Sequence, residues 1–163
     1  MHQNLDPFDL KLLASLQDNA AATNAELAEA VGLSPSQVSR RRQALEEAGI
    51  IRRYCALIDR ERVDLSVLVF VHITMARHSA DNAVSFRQLV LGCGEILEAY
   101  ALTGESDYVL KIVVGSLQEL AHLVNDVLLP HKAIDRVRSE VVLDVLKEGV
   151  RLPIRLQPAG AAK

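Results

Sequence analysis

The spacing of apolar residues changes near residue 60, and this change limits the possible folds more than any other feature. Before it, Leu5, Leu12 and Leu16 fall on one helical face; after it, every second residue from Val63 to Met75 is apolar. A chain of 163 residues can hold two small domains. We therefore predict a helical domain over residues 1–60 and a sheet-containing domain over 61–154. The last residues, 155–163, lose all periodicity and are predicted to be a mobile tail.

The second domain has the order strand, helix, strand, strand, helix, strand. Two amphipathic helices are predicted around Phe86–Cys93 and Leu117–Leu128, and Ser116 and Glu119 form a capping-box signature before the second. The predicted strands are 63–75, 96–102, 108–114 and 137–145. This α+β order is that of a ferredoxin-like βαββαβ domain, whose helices cover one face of the sheet. The other face is expected to pair with a second subunit.

Residues 23–37 contain two helix starts in the pattern of a helix-turn-helix. Thr23 and Ser34 are each followed three residues later by Glu or Gln, and Gly32 between them allows a tight turn. The third helix is predicted over Pro35–Ala48, ending at Gly49. The β-prone residues 50–56 that follow are predicted to form the wing of a winged helix-turn-helix.

Positive charge is concentrated on this third helix and just after it. Residues 34–53 hold five arginines against two glutamates, whereas residues 1–64 carry eight basic and ten acidic side chains. Outward side chains near the helix start are predicted to read bases, and other arginines to contact phosphates. Arg42 falls at the edge of the buried stripe, where it is expected only to cover apolar surface. The predicted DNA-binding residues are Ser34, Ser36, Gln37, Ser39, Arg40, Arg41, Gln43, Arg52 and Arg53.

Several classes of protein have no support in the sequence. The two cysteines and five histidines show no metal-ligand spacing, and nucleophile, phosphate-loop and dinucleotide motifs are absent. No catalytic residue, metal or cofactor is predicted. With no basic and apolar leader and no apolar run near the roughly 20 residues of a membrane span, we expect a cytoplasmic protein.

The segment from Leu5 to Asp59 resembles the DNA-binding half of the Lrp/AsnC, or feast/famine, family of transcription regulators. ALTGESDYVLKIVV and VRSEVVLDVLKEGVRLPI are similar to that family's effector domain, so the resemblance spans residues 5–154. It implies double-stranded DNA as a partner, control by a small molecule, commonly an amino acid, and homodimers that often join into tetramers or octamers. One departure is the run Leu129–Ile134, where the family usually has a Leu-Pro-Gly-Val-like turn.

The resemblance also implies where the effector binds. The family places it between dimers, near the loop that here is Thr103, Gly104, Glu105, Ser106 and Asp107. Gly104 would let the ligand approach the backbone, and Asp107 could bind an α-ammonium group. The alternative is a plain hairpin in which Gly104 has positive φ and Asp107 caps the turn.

Three functions remain open on the sequence. The first is an amino-acid-responsive regulator in which the effector alters assembly, and so the match of paired helices to major grooves about 34 Å apart. The second is an enzyme on the same plan, such as the siroheme decarboxylases that resemble this family. The third is a sensing module whose helix-turn-helix contacts only protein.

Overall fold

The protein is described by a computed structural model that covers residues 5–76, 79–149 and 151–154. It divides into two compact units. One runs from the N-terminus to Leu57 and also includes the C-terminal segment from Glu148, and the other runs from Ile58 to Lys147. The predicted tail, 155–163, lies outside the described residues. The sequence assigns residues 148–154 to the second domain, whereas in the structure the described residues of this segment group with the first unit.

Three helices form the first unit, and each begins at a capping box. They are α1 (Pro7–Asp18), α2 (Asn24–Val31) and α3 (Pro35–Glu47). The boxes predicted at Thr23 and Ser34 are present, and a third, between Asp6 and Asp9, precedes α1. Leu12, Leu27 and Val38, one from each helix, are at most 2% exposed and form the centre of the core.

Two glycines end helices as the sequence predicts. Gly32 closes α2 with φ +78°, and Gly49 follows α3 with φ +70°. Both values lie in the left-handed region, which a side chain would strain. The turn at Gly32 joins α2 to α3, so the helix-turn-helix is confirmed.

The predicted wing is not formed by a β-ladder. Residues 50–57 contain no strand, and those from Arg52 to Leu57 are all exposed. The backbone N–H groups of Ile50 and Ile51 instead donate to the carbonyl of Leu45, which ends the helix and anchors the start of the segment. Beyond Ile51 no second strand of this unit lies beside the segment to complete a ladder.

The C-terminal segment binds α1 through both backbone and side chains. The Leu152 N–H donates to Gln17 Oε1 at 2.6 Å, and Gln17 Nε2 donates back to the Leu152 carbonyl at 3.2 Å. Arg151 forms an ion pair with Asp18. Leu152 and Ile154 line an apolar groove with Leu13 and other residues of this unit. These contacts explain why residues 151–154 group with the helices.

The second unit has the predicted βαββαβ order. Its elements are β1 (Val67–Met75), α4 (Ala80–Gly92), β2 (Ile96–Ala101), β3 (Tyr108–Val114), α5 (Leu117–His122), continued as a π-helix over Leu123–Leu128, and β4 (Ile134–Val141). The four strands lie in the order β2-β3-β1-β4 and every neighbouring pair is antiparallel. Both helices cover one face, where Val71, Leu110 and Ile112 are fully buried. No helix among the described residues is both long and apolar enough to cross a membrane.

The first strand begins four residues later than predicted. Glu61–Val63 form a 3₁₀ turn, and Asp64 has φ +61°. Asp59 Oδ1 accepts from the Glu61 N–H at 3.1 Å, and the Leu65 N–H donates to the Arg60 carbonyl at 2.8 Å. These local hydrogen bonds satisfy the backbone and prevent residues 63–66 from extending.

The last strand also differs from its predicted bounds. It starts at Ile134 and ends at Val141, so the alternating Leu143 and Val145 lie beyond it, and Leu143 is 98% exposed. Val141 pairs with Val69, and the Val142 N–H makes the final bond, to the Leu68 carbonyl. Since β1 begins at Val67, residues after Val142 have almost no partner strand left.

Replacing Gly115 with alanine should destabilise the second unit. A Cβ there would lie 2.8 Å from the Asp64 carbonyl oxygen and 3.0 Å from Glu119 Oε1. The Asp64 backbone is already in the left-handed region, so this turn cannot easily move away. We expect a loss of about 1–3 kcal/mol in the free energy of unfolding, measured by urea denaturation. Gly94→Ala is the matched control, because nothing lies within 4 Å of its Cβ position. Equal midpoints for the two variants would contradict the close contact.

Candidate DNA-binding surface and effector loop

The predicted recognition helix, α3, is held by one buried stripe and leaves its other side open. Val38 and Leu45 are 0% and 4% exposed in the core. The stripe therefore determines which side chains of α3 are buried and which are exposed. The predicted base-reading side chains are all exposed, as their positions relative to the stripe require; they are Ser36, Gln37, Ser39, Arg40 and Gln43.

Several of these polar groups bond within α3 itself. Gln37 Oε1 accepts from the Ser34 N–H at 3.0 Å, and the Ser34 and Ser36 hydroxyls lie 3.1 Å apart. Gln43 Nε2 donates to Glu47 Oε1 at 2.8 Å. Ser39 and Arg40, by contrast, make no side-chain hydrogen bond to any part of the chain that the structure describes. They are the members of the set that are free to bind a ligand without breaking a contact.

The arginine run divides into paired and unpaired side chains. Arg41 is ion-paired with both Asp6 and Asp9. Arg42 is ion-paired with Glu46 at 3.3 Å. The positive charge is thus presented by fewer groups than the sequence indicates. Within the described residues, the exposed arginines of this region without an ion pair are Arg40, Arg52 and Arg53.

Tyr54 is a residue that sequence reasoning missed. Arg42 Nε donates to its hydroxyl at 2.8 Å, and that hydroxyl donates to Glu46 Oε1 at 2.7 Å. The Arg42 guanidinium also lies 4.6 Å from the ring centroid. Burial, together with the Glu46 carboxylate, raises the pKa of Tyr54. Tyr54 therefore fastens the segment after α3 to the end of that helix. The signal in the sequence was an aromatic residue directly after Arg52 and Arg53.

The predicted effector loop closes the hairpin between β2 and β3. The Leu102 N–H donates to the Asp107 carbonyl at 2.8 Å, and the Asp107 N–H donates to the Ile73 carbonyl at 2.9 Å. Asp107 Oδ2 accepts from the Met75 N–H at 2.7 Å, beside an irregularity in the β1–β4 register. Asp107 thus anchors the loop to the end of β1. In a plain hairpin it was predicted only to cap the turn.

Gly104 is not needed for the turn conformation. Among the described glycines only Gly32 and Gly49 have positive φ, so the prediction that a plain hairpin would use positive φ at Gly104 is wrong. Nothing lies within 4 Å of its Cβ position. Thr103, Gly104 and Glu105 are exposed, and Ser106 is half-buried. The space above this backbone is open.

A groove of about 1060 Å³ lies between α4 and β2. Its lining includes Ala101 and Tyr108, near the two ends of the loop, but not the loop residues themselves. Tyr108 packs on Phe86 with ring centroids 4.7 Å apart, as expected for a residue of the sheet core. The loop therefore stands beside the groove and does not line it.

The run Leu129–Ile134, which departs from the family pattern, forms a turn held by His131. Its Nδ1 is 3.3 Å from the Ala133 nitrogen, and its Nε2 is 3.1 Å from the Ser85 hydroxyl of α4. The imidazole therefore connects this turn to α4 immediately before β4 begins at Ile134.

The remaining titratable groups show no reactive arrangement. No group of three or more His, Cys, Asp or Glu side chains suited to a metal occurs in the described part of the chain. Cys93 is half-buried, and burial followed by the nearby Glu95 carboxylate raises the pKa of its thiol. Cys55 is exposed, and neither cysteine forms a disulfide. A raised thiol pKa disfavours the nucleophilic thiolate.

Comparisons with known proteins agree with this geometry. Residues 68–152 match the Lrp/AsnC ligand binding domain model, and residues 5–52 match a winged helix-turn-helix DNA-binding model. The chain is 38% identical over 154 residues to the glutamate uptake regulatory protein of Zymomonas mobilis, covering 94% of this chain and 93% of that protein. It is 35% identical over 153 residues to the leucine-responsive regulatory protein of Escherichia coli, with the same shares covered.

A solved structure is similarly close. A transcriptional regulator from Neisseria meningitidis, crystallised as a complex with L-Met, has a TM-score of 0.89 and 39% identity, covering 92% of this chain and 97% of that one. These relatives are regulators, so the enzymatic alternative is set aside, and the DNA-binding model opposes the protein-only alternative. With a helix-turn-helix that binds DNA and a separate ligand-binding unit, the chain belongs to the Lrp/AsnC family of transcriptional regulators.

Proposed function

We propose that α3 enters the major groove of its operator and reads base edges from its exposed side. The base-reading residues are Ser36, Gln37, Ser39, Arg40 and Gln43. Arg52 and Arg53 contact phosphates on the flanking backbone, and the Ser36 N–H, at the helix start that Ser34 caps, binds another phosphate. The observation that carries this assignment is that Arg40, Arg52 and Arg53 are exposed and unpaired among the described residues.

We further propose that the ligand is an amino acid bound at Thr103–Asp107. The N–H groups of Thr103, Gly104, Glu105 and Ser106 make no hydrogen bond within the described residues, so they are available to an α-carboxylate. Asp107 and Glu105 supply negative charge for the α-ammonium. The L-Met complex of the Neisseria regulator supports this ligand class.

The outer face of the sheet is proposed as the homodimer interface. Phe70 is 38% exposed at its centre, while the charges around it are already paired within the chain. Arg138 lies 3.3 Å from Glu140, and Lys111 lies 3.3 Å from Glu98. Paired charges can be buried against a second copy at lower cost than isolated ones. Higher assembly of dimers, and action in the cytoplasm where the DNA lies, follow from the family.

Under this proposal the effector acts by linkage. A ligand that binds one assembly more tightly shifts the population toward it by its difference in affinity. The two α3 helices of a dimer then match, or fail to match, successive major grooves about 34 Å apart.

A titration with free amino acids tests the effector site. An amino acid that binds at 100 times its Kd should stabilise the protein by about 2.7 kcal/mol, seen as a thermal shift, with light scattering to follow mass. Gly104→Val should abolish the shift without lowering the midpoint of the free protein, because its Cβ position is open and its φ is not positive. Gly94→Val is the matched control and should keep the shift. If Gly104→Val still responds, or if none of the twenty amino acids shifts the wild type, the site assignment fails.

A further inference from the structure

The middle arginine of the α3 run points toward the first turn of α1. Arg41 Nη1 lies 2.7 Å from Asp6 Oδ2 and 2.7 Å from Asp9 Oδ1, so one nitrogen joins both carboxylates. The guanidinium also lies 5.6 Å from the ring centroid of Phe8. The Arg41 side chain is thus held on three sides by residues more than 30 positions earlier in the chain. We call this arrangement the Arg41 clamp.

The same two carboxylates also cap α1. Asp6 Oδ1 accepts from the Asp9 N–H at 2.9 Å, and Asp9 Oδ2 accepts from the Asp6 N–H at 3.1 Å. Each carboxylate therefore uses one oxygen for the start of α1 and the other for α3. Because the capping box fixes both side chains, the clamp has little freedom to follow a movement of α3.

The electrostatic environment shows that the clamp is a real charge interaction. Although burial acts to raise it, the Asp9 N–H and the Arg41 guanidinium hold the pKa of Asp6 below its usual value. The Asp9 carboxylate likewise raises the pKa of Arg41 against the effect of burial. The side chains of Arg41 and Asp9 are only 29% and 17% exposed. A partly buried pair of this kind is screened less than an exposed one.

We propose that Arg41 is a positioning residue for operator recognition, which fixes the orientation of α3 through Asp6 and Asp9 and does not contact a phosphate. This inference rests on the proposed role of α3 in the major groove. Base-edge hydrogen bonds need side chains held to within a fraction of an ångström, and the stripe of Val38 and Leu45 leaves rotation about that stripe to be fixed by another contact. The Arg41 clamp supplies it.

Releasing Arg41 from the clamp so that it could bind DNA is also electrostatically unfavourable. It would leave two carboxylates uncompensated at the start of α1, next to a polyanion. Arg52 and Arg53 can contact phosphates, and Arg40 a base, without breaking any ion pair described in the structure. DNA binding therefore favours keeping the clamp closed.

The salt dependence of binding separates the two roles. The full-length protein is used to select a duplex from a randomised library, and Kd is measured for this duplex and a scrambled one between 50 and 200 mM KCl. Arg52→Met should lower the slope of log K against log salt by about 0.9, as loss of one phosphate contact does. Arg41→Met should leave the slope nearly unchanged but reduce the ratio of selected to scrambled affinity roughly tenfold. Arg41→Lys should restore most of that ratio, since a single nitrogen makes both contacts.

Asp9→Asn is the second variant, for which the two roles predict opposite results. It keeps an oxygen for the cap but loses the charge that holds Arg41. If Arg41 positions α3, the ratio falls even though one repulsive charge has been removed. An unchanged ratio in Asp9→Asn, or a slope in Arg41→Met that falls as in Arg52→Met, overturns the inference. If the wild type selects no duplex at all, it is the groove-reading role of α3 that fails.

Discussion

Replacing Arg40, Arg52 and Arg53 together with glutamine should lower DNA affinity roughly 500-fold near 0.1 M salt. Loss of the proposed Arg52 and Arg53 phosphate contacts lowers the slope of log K against log salt by about 1.8, which is about 60-fold in affinity near 0.1 M salt. Loss of the proposed Arg40 base contact costs roughly another tenfold. These three side chains are exposed and unpaired within the described residues, so their removal breaks no internal contact. Fluorescence anisotropy of a labelled duplex across a salt series measures both quantities.

The control for this triple variant must remove the same charge elsewhere. Arg62, Arg87 and Lys132 are exposed and belong to the second unit. Their joint replacement by glutamine should leave the slope within about 0.5 of the wild type, because distant charges are screened beyond about 10 Å at this salt concentration. Equal losses in the two triple variants would show that net charge, and not the surface around α3, governs binding.

Leu110→Ala should destabilise the second unit by about 2–5 kcal/mol, the cost of deleting a large side chain in a packed core. Leu110 is fully buried in β3 opposite Val71. A domain of this size has a total stability of about 5–15 kcal/mol, so much of it would be lost. Leu143→Ala, at a position 98% exposed, should change the stability by less than about 0.5 kcal/mol.

Hydrogen exchange measured by peptide shows where the Leu110→Ala effect appears. Because Leu110 lies in the core of the second unit, we expect faster exchange across β1, β3 and β4 and little change in α1, α2 and α3. Faster exchange throughout the chain would mean that the two units unfold together, contrary to this prediction.

The sequence predicted those parts of the fold that depend on neighbouring residues. The capping residues Thr23 and Ser34, and the glycines that end α2 and α3, act within a few positions of where they stand. The spacing of apolar residues likewise identified the βαββαβ order, because each helix and strand must bury one face. The strand ends were less predictable, since β4 stops where β1 provides no further partner.

The candidate site was harder to predict from the sequence because its contacts join residues that are far apart along the chain. Nothing near Arg41 in the sequence reveals that Asp6 and Asp9 will neutralise it, so it was counted with Arg52 and Arg53 as a phosphate contact. Competition for one side chain could have been anticipated from the sequence. The capping box that predicts the start of α3 uses the Gln37 side-chain oxygen, so a base must compete with the Ser34 N–H for this oxygen. The effector loop depended on family resemblance, because Met75, the partner of Asp107, lies 32 residues away.

The return of the chain to α1 has a consequence for how this protein can be divided or recombined. Since Gln17 and Asp18 bind Leu152 and Arg151, the unit that carries α3 is built from two stretches that lie far apart in the sequence. A fragment cut at residue 60 would expose apolar surface that the intact chain covers. A chimera that exchanges operator preference between relatives must therefore carry over two separate stretches of coding sequence.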